Sequence, residues 1–308
     1  MKHYFIINPA AGKTDRTDEL SLKIAQVCKD LDFEVLVSRE PKQCEVLAAN
    51  AVQTDAPCRI YACGGDGTLN EVVNGVAGHP NAAVTHFPIG SGNDFIKNSS
   101  DPDAFFKLEN LLDPEEREFD LIEVNDRFCL DIASIGIDAR IGTELANYKR
   151  LPLISGAAAY KLSTAVNVVK GIHRHYVIEI DGQTIDDRKT LICVCNGRWY
   201  GGGFFPVPEA SLDDGILDVL VVNAVSRFHA ASLIGKYKEG RYREISDHIQ
   251  HYRVSSLAVH CDTLSRVNID GELLWAKDVR FRVSQQKIRF FYPKGLSWEP
   301  KASAVTAI

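Results

Sequence analysis

Apolar and polar positions change rhythm near Asp120. Before it, short apolar runs alternate with segments of helical spacing. Residues 2–7 form the first run, which stops at Asn8-Pro9. Residues 18–31 place Leu20, Ile24, Val27 and Leu31 on one helical face, with Thr17 or Asp18 available as a cap. Glu34–Ser38 reads as a second strand, residues 43–53 as a second helix and Arg59–Ala62 as a third strand. A helix over 68–77 (Leu69, Val72, Val73, Val76) and a strand over Ala83–Pro88 follow. This β-α-β-α-β order predicts a parallel sheet with helices on both faces. Beyond Asp120, short alternating segments take over: Phe119–Val124, Phe128–Ile135, Tyr176–Ile180, Leu191–Cys195, Leu217–Val222, Leu257–His260, Arg266–Ile269, Val279–Val283 and Lys287–Tyr292. Asp181-Gly182 between two of them is a hairpin signal. Helical stretches interrupt at about 153–172 and 226–240. The predicted architecture is an α/β domain with a parallel sheet over residues 1–122. An all-β antiparallel sandwich follows over 123–308, with the tail from about 298 open to packing back on the first domain.

Ligands of parallel sheets bind beyond the carboxyl ends of the strands. Three polar, glycine-bearing loops fall there: Asn8–Lys13, Gly64–Thr68 and Gly90–Asp94; Ser38 closes a fourth strand end. They are expected to converge. The run Cys63-Gly64-Gly65-Asp66-Gly67-Thr68-Leu69-Asn70-Glu71 carries the most chemistry. Its glycines permit close backbone approach, and the helix behind them offers unpaired N–H groups and a positive dipole end to a phosphate. Asp66 adds a charge able to act through a metal ion or polarise a ligand group.

Two familiar phosphate motifs are absent. A P-loop ending at Gly12-Lys13-Thr14 would need a glycine where Ile7 stands, and a dinucleotide fingerprint from Gly90 and Gly92 fails at Phe95. His248 and His251, or His173 and His175, lack a third ligand at zinc spacing. No G-x-S-x-G elbow marks a serine hydrolase.

Composition narrows the function further. Of 308 residues, 45% are hydrophobic and 25% charged, as in a soluble globular protein. The formal net charge of −6 argues against broad nucleic-acid binding. Eight scattered cysteines, without a C-x-x-C pair, suit core thiols in a reducing cytosol. Cys193 and Cys195 alternate along one strand and so share a face. The N-terminal apolar run is too short for a signal peptide, and no run of about 18 apolar residues spans a membrane. A cytoplasmic location is expected.

Three segments, in order and spacing, resemble the diacylglycerol kinase and sphingosine kinase catalytic family. They are Asn8-Pro-Ala-Ala-Gly12-Lys13, Gly64-Gly-Asp-Gly-Thr68-Leu-Asn-Glu71 and Pro88-Ile-Gly-Ser-Gly-Asn93-Asp94-Phe95. The similarity is strongest to the bacterial lipid-kinase branch. Asn196-Gly197, Gly201–Gly203, Leu212-Asp-Asp214-Gly215 and Asp270-Gly271-Glu272 continue it through nearly the whole chain. The resemblance implies an ATP-binding first domain, a β-sandwich second domain and an acceptor hydroxyl entering between them. It implies ATP contacts at Asn8, Pro9, Ala10, Ala11, Gly12, Lys13, Ser38, Gly64, Gly65, Asp66, Gly67, Thr68, Leu69, Asn70, Glu71, Ser91, Asn93 and Asp94. Ser91 stands where the family commonly has threonine and keeps the hydroxyl. Read from the residues alone, Lys13 serves equally as a phosphate partner or a solvated lysine, and Asn93 and Asp94 as helix caps or substrate contacts.

The resemblance also implies a Mg²⁺ ion held by Asp214 and the main-chain carbonyls of Ser211 and Ile216. It places the proton acceptor at Glu272, with Asp270 and Asp66 assisting. Phosphoryl transfer needs this combination of positioning, charge neutralisation and a base. The implied reaction is ATP- and Mg²⁺-dependent phosphorylation of a lipid hydroxyl, diacylglycerol first. A kinase for a soluble polyol or nucleotide, or a nucleotide-binding regulator without turnover, are the other readings. Apolar residues 153–172 are candidates for a lipid groove. Lys236, Lys238, Arg241 and Arg243 are candidates for transient contact with a membrane surface, interleaved with Glu239 and Glu244. The expected partners are a lipid substrate and a membrane surface, with no nucleic acid; an oligomer stays open.

Overall fold

Strands β1 (Lys2–Ile7), β2 (Phe33–Val37), β3 (Cys58–Gly64) and β4 (Ala82–Pro88) form in the expected order and pair in parallel as β2-β1-β3-β4. The computed structural model describes residues 1–54, 56–137, 139 and 172–300. All of β4 and nearly all of β3 are buried, as expected of strands covered on both faces. Helices α1 (Thr17–Val27), α2 (Gln43–Ala51) and α3 (Asp66–Val76) connect the strands. Helix α1 ends four residues before the predicted stop. The Cys28 amide closes onto the Ile24 carbonyl and a turn to half-exposed Leu31 leads into β2.

The chain divides into two compact units, one of Met1–Leu121 with Ser284–Pro300, the other containing Ile122–Val283. The expected second domain therefore loses residues 284–297 to the first unit, where the start of the tail, 298–300, lies as well. Strand β15 (Ile288–Tyr292) lies in the first sheet, parallel to β4 through Phe290 and Val84, and antiparallel to β5 (Glu115–Phe119). Its alternating apolar residues fit either sheet locally. What fixes it is packing: Phe290 and Tyr292 meet Trp298 at 5.7 and 5.5 Å, and Trp298 also contacts Phe95, Phe105 and Phe119. Trp298 is thus buried in the first unit.

Among the described residues the second unit is a nine-stranded antiparallel sheet. Its main path runs β12 (Ile249–Val254), β11, β10, β8, β13, β14 (Glu272–Val283), β6 (Ile122–Val124) and β7 (Arg127–Cys129). Strands β8 (Ile132–Gly136) and β9 (Arg174–Ile180) both lie between β10 (Gln183–Cys195) and β13 (Ser256–Ile269), at opposite ends. β10 and β13 thus each run past both strands, and Ile135, Ile178, Val194, Val259, Val267 and Phe281 pack into one core. The other face of β10 and β11 (Leu217–Asn223) presents Cys193, Cys195 and Leu220 to Tyr237 of helix α4 (Arg227–Lys238). All eight cysteines are buried free thiols. Asp181 and Gly182 both take positive φ and close the β9–β10 hairpin, as the sequence predicts. The proposed groove residues 153–171 lie outside the described residues.

Candidate functional site

In the first unit the three glycine loops meet backbone to backbone. The Gly64 carbonyl accepts from the amides of Ile89 (2.9 Å) and Gly90 (3.0 Å). His86 Nε2 lies 3.0 Å from the same oxygen and must carry its proton there, since a carbonyl only accepts. His86 is fully buried on β4, and desolvation lowers its pKa from 6.5 to about 4, so the ring is neutral at pH 7. A Cβ on Gly90 would sit 2.4 Å from the Gly65 Cα, so glycine is required at position 90 by contact. Asn8 ties in the remaining loop. Its amide donates to the Cys63 carbonyl, its Nδ2 to Thr68 Oγ1 (2.9 Å), and its Oδ1 accepts from Ala10 N (3.0 Å). Gly12, at φ +82°, brings the loop so near Ile89 O that a Cβ would approach it to 2.6 Å.

The charged residues of these loops hold the loops to one another. Asp66 Oδ1 accepts from the amides of Asp94 (2.6 Å) and Phe95 (3.2 Å), joining the start of α3 to the turn after β4. Asp94 pairs with Lys97 at 2.5 Å. Asn93, at φ +49°, donates from Nδ2 to Gly90 O and closes its own turn. Glu71 accepts from Lys42 N (3.1 Å) and Cys44 N (3.0 Å), so it caps α2. Leu69 and Asn70 are buried, and Ser38 is buried at the end of β2 with its amide on Ile7 O. What remains at the rim is small or exposed: Ala10, Gly12, Lys13 and Ser91 are exposed, and Pro9, Ala11, Gly65 and Gly67 partly so. With the N-terminus of α3 behind it, this rim is suited to phosphate.

In the second unit Asp270 occupies the turn between β13 and β14 (Glu272–Val283), with Asp270 and Gly271 both at positive φ. Its carboxylate accepts four donors. Oδ2 takes Leu130 N (2.6 Å), while Oδ1 takes Asp131 N (3.0 Å), Ile132 N (3.1 Å) and the Cys129 thiol (3.1 Å). Burial, and next the Asp270 charge, push the Cys129 thiol pKa well up. Asn196 fastens the same loop through Nδ2 to Leu130 O (2.8 Å) and its amide to Asp131 O (2.9 Å). Asp131, buried in this cluster, is absent from the sequence reading; its only signal is an acid beside a strand start. Glu272 opens β14 opposite Ile269 and is partly buried.

The turn around Asp214 is built from oxygen donors of the kind Mg²⁺ takes. Ser211 Oγ donates to Asp213 Oδ1 (3.2 Å), and Ile216 N to Asp214 Oδ1 (3.1 Å). Arg253 bridges Asp214 Oδ2 (2.7 Å, through Nη2) and Asp218 Oδ1 (3.4 Å, through Nε), so the Asp214 carboxylate is paired with a guanidinium. Among the described residues no group of three or more His, Cys, Asp or Glu side chains could hold a metal. The basic residues near α4 are largely matched: Lys236 with Glu244, Arg241 with Glu239 and Glu244, Arg243 with Glu209. No described helix is long and apolar enough to cross a membrane.

Comparison with known proteins agrees with this architecture. Residues 2–124 match the diacylglycerol kinase catalytic domain, and residues 131–292 match the YegS C-terminal NAD kinase beta sandwich-like domain. The chain belongs to the YegS/DgkB-like lipid kinase family, and it is a lipid kinase. A Staphylococcus carnosus (strain TM300) protein named "Putative lipid kinase" is 27% identical over 91% of this chain and 88% of its own length. A Staphylococcus aureus (strain Mu3) protein of the same name is 25% identical over 83% and 84%. The crystal structure of a diacylglycerol kinase from Bacillus anthracis str. Sterne superimposes with a TM-score of 0.66. It covers 94% of this chain and 96% of that one at 22% identity, and so supports the fold.

Proposed function

We propose that this chain transfers the γ-phosphoryl group of ATP to the hydroxyl of diacylglycerol or a related glycerolipid, with Mg²⁺. The observation that carries this reading is the backbone cradle in which Gly64 O holds the Ile89 and Gly90 amides beneath an open, small-residue rim. The acceptor oxygen forms a bond to the γ-phosphorus, the bond to the bridging oxygen breaks, and ADP leaves. Glu272 takes the acceptor's proton late in the transfer, because a carboxylate is a weak base towards an alcohol. Asp66 and Asp270 act as positioning residues: one fixes the turn at Asp94, the other the loop 129–132. Asp214, with the carbonyls of Ser211 and Ile216, would hold the ion, which supplies positive charge. The location read for the chain is cytoplasmic, with transient contact at a membrane surface.

The test is incubation with γ-labelled ATP and vesicles of diacylglycerol in phospholipid, beside glycerol and nucleosides as soluble acceptors. Label should enter diacylglycerol and require Mg²⁺. Glu272→Gln should lower turnover roughly 10²–10⁴-fold with little change in ATP binding. Label in a soluble acceptor alone would overturn the lipid reading. Full turnover of the variant would remove Glu272 as the base.

A further inference from the structure

Where β9, β10, β13 and β14 run side by side, the outer face of the second sheet carries a groove with one acidic and one basic wall. Ile178, Ile180, Leu257, Val259, Val279 and Phe281 belong to the core, so strand alternation turns Glu179, Ala258 and Arg280 outward. The register sets Thr184, Glu179, Ala258 and Arg280 in one row across the four strands. In the neighbouring row of Asp186, Val177, His260 and Asp278 the charges are met. His175 Nε2 lies 2.6 Å from Asp186 Oδ1, and His260 Nδ1 2.6 Å from Asp278 Oδ1. On the other side, Arg282 stands across from Ser256 and pairs with Glu123. Between these rows Glu179 and Arg280 are exposed, and neither side chain has an ion-pair partner among the described residues. Their backbones stand about 10 Å apart, twice the strand spacing, with only the Ala258 methyl between them. The opening belongs to a cavity of about 500 Å³ that Thr184, Ser256, Arg282 and the Asp181-Gly182 turn also line. Strand β9 and its turn thus supply acids, β14 supplies arginines, and β13 a floor of small residues.

We propose that this groove binds a free α-amino acid, with its ammonium on Glu179 and its carboxylate on Arg280. Opposite charges on facing walls match a small ligand that carries both. A guanidinium holds a carboxylate through two parallel N–H···O bonds, and the Glu179 carboxylate accepts from an ammonium. The Thr184 hydroxyl, beside Glu179, can accept a second ammonium hydrogen, and the Ser256 hydroxyl can donate to the ligand's carboxylate. Because Glu123 already occupies Arg282, one guanidinium is left, which suits the single charge of a carboxylate better than the double charge of a phosphate. The groove opens to solvent, so it reads the charged backbone of the amino acid more than its side chain. Along β14, Arg280 lies eight residues from Glu272, roughly 26 Å. The ligand is therefore a second one and not the acceptor, and the inference stands without the kinase reading.

Titration of the full chain with each common L-amino acid in turn, up to about 10 mM, tests it by calorimetry and by amide chemical shifts. At least one should bind and move the amides of Gly182, Ser256 and Ala258. Its N-acetyl derivative, which lacks the ammonium, and its amide, which lacks the carboxylate, should each bind about tenfold more weakly. Glu179→Gln and Arg280→Gln should weaken binding by a similar factor. Ala258→Leu should fill the floor and abolish it. The Glu179 and Arg280 side chains are exposed, so these two variants should melt as the wild type does. Arg188→Gln, outside the groove on β10, should bind normally. So should Glu272→Gln, even where it has lost turnover, which separates this site from the reading of the reaction. Inorganic phosphate binding as tightly as any amino acid, with Glu179→Gln unaffected, would leave a simple anion site and overturn the proposal. Full binding by Ala258→Leu would overturn it too, as would a response confined to peptides or no response to any amino acid.

Discussion

Asp270 and Glu272 are two residues apart, yet their surroundings assign them different work. The Asp270 carboxylate accepts from three successive amides and a thiol. Asp270→Asn would turn an NH₂ group towards amide hydrogens or leave one unmet. We predict a loss of roughly 2–4 kcal/mol in the stability of the second unit, seen as a lowered melting midpoint. Glu272→Gln should leave the midpoint nearly unchanged. A wild-type melt for Asp270→Asn would end its positioning role.

His86 gives a pH signature. Its folded pKa is lowered by burial from 6.5 to about 4. Between those values the unfolded chain binds a proton that the folded chain refuses. The stability that this neutral ring contributes is therefore full above pH 6.5, falls as pH drops, and is gone below about 4. Two to three pKa units correspond to roughly 3 kcal/mol. His86→Gln, which keeps a donor for Gly64 O, should flatten that part of the pH–stability curve. An unchanged slope would show that the ring titrates normally.

Elements differ in how far the sequence specifies them, and the glycine loops are the clearest case. A Cβ at position 90 would meet the Gly65 Cα at 2.4 Å, whereas one at position 65 would meet the Gly90 Cα at 3.3 Å. Gly90→Ala should therefore weaken nucleotide binding at least tenfold and cost about 1–3 kcal/mol of stability. Gly65→Ala should do less of both, and the reverse order by titration would refute this packing.

The parallel order β1–β4 was legible because each apolar run ends in its own turn chemistry and the helical spacings between are clear. The convergence of the three loops followed from topology alone. Other features were not legible. Val279–Val283 reads as a strand, but β14 begins at Glu272, because exposed Leu273 and Trp275 break the usual apolar-in, polar-out signal. Likewise β13 is one bulged strand where the pattern suggests two, since the irregularity between His260 and Ser265 interrupts the alternation. The use of Glu71 to cap α2 depends on a contact across 29 residues that no local pattern encodes.

For the whole molecule, the return of residues 284–300 to the first unit matters most. Trp298 sits among Phe95, Phe105, Phe119, Phe290 and Tyr292. Trp298→Ala should cost about 3–5 kcal/mol, although it lies near the end of the sequence. Hydrogen exchange should rise in β4 and β5 and hardly change in β8 to β11. Uniform loss in both units would mean that they unfold together.

The position of β15 also bears on how the protein is made. Because β15 lies between β4 and β5, a chain emerging from the ribosome cannot complete its first sheet until residue 292 is out. Every strand of the other unit has emerged by Val283. Domains generally fold N-terminal first during synthesis; here the later-encoded one should finish earlier, while β4 waits with an unpaired edge open to wrong partners. Ribosome-stalled chains ending just before β15 clears the exit tunnel should show the second unit resistant to protease and the first still digested. The opposite pattern would mean that the first sheet holds without its late strand. If the order is as expected, the first unit stays unfinished after every described strand of the second has been made, and a chain cut between Val283 and Ile288 would lose the strand that joins β4 to β5 while keeping the second unit whole.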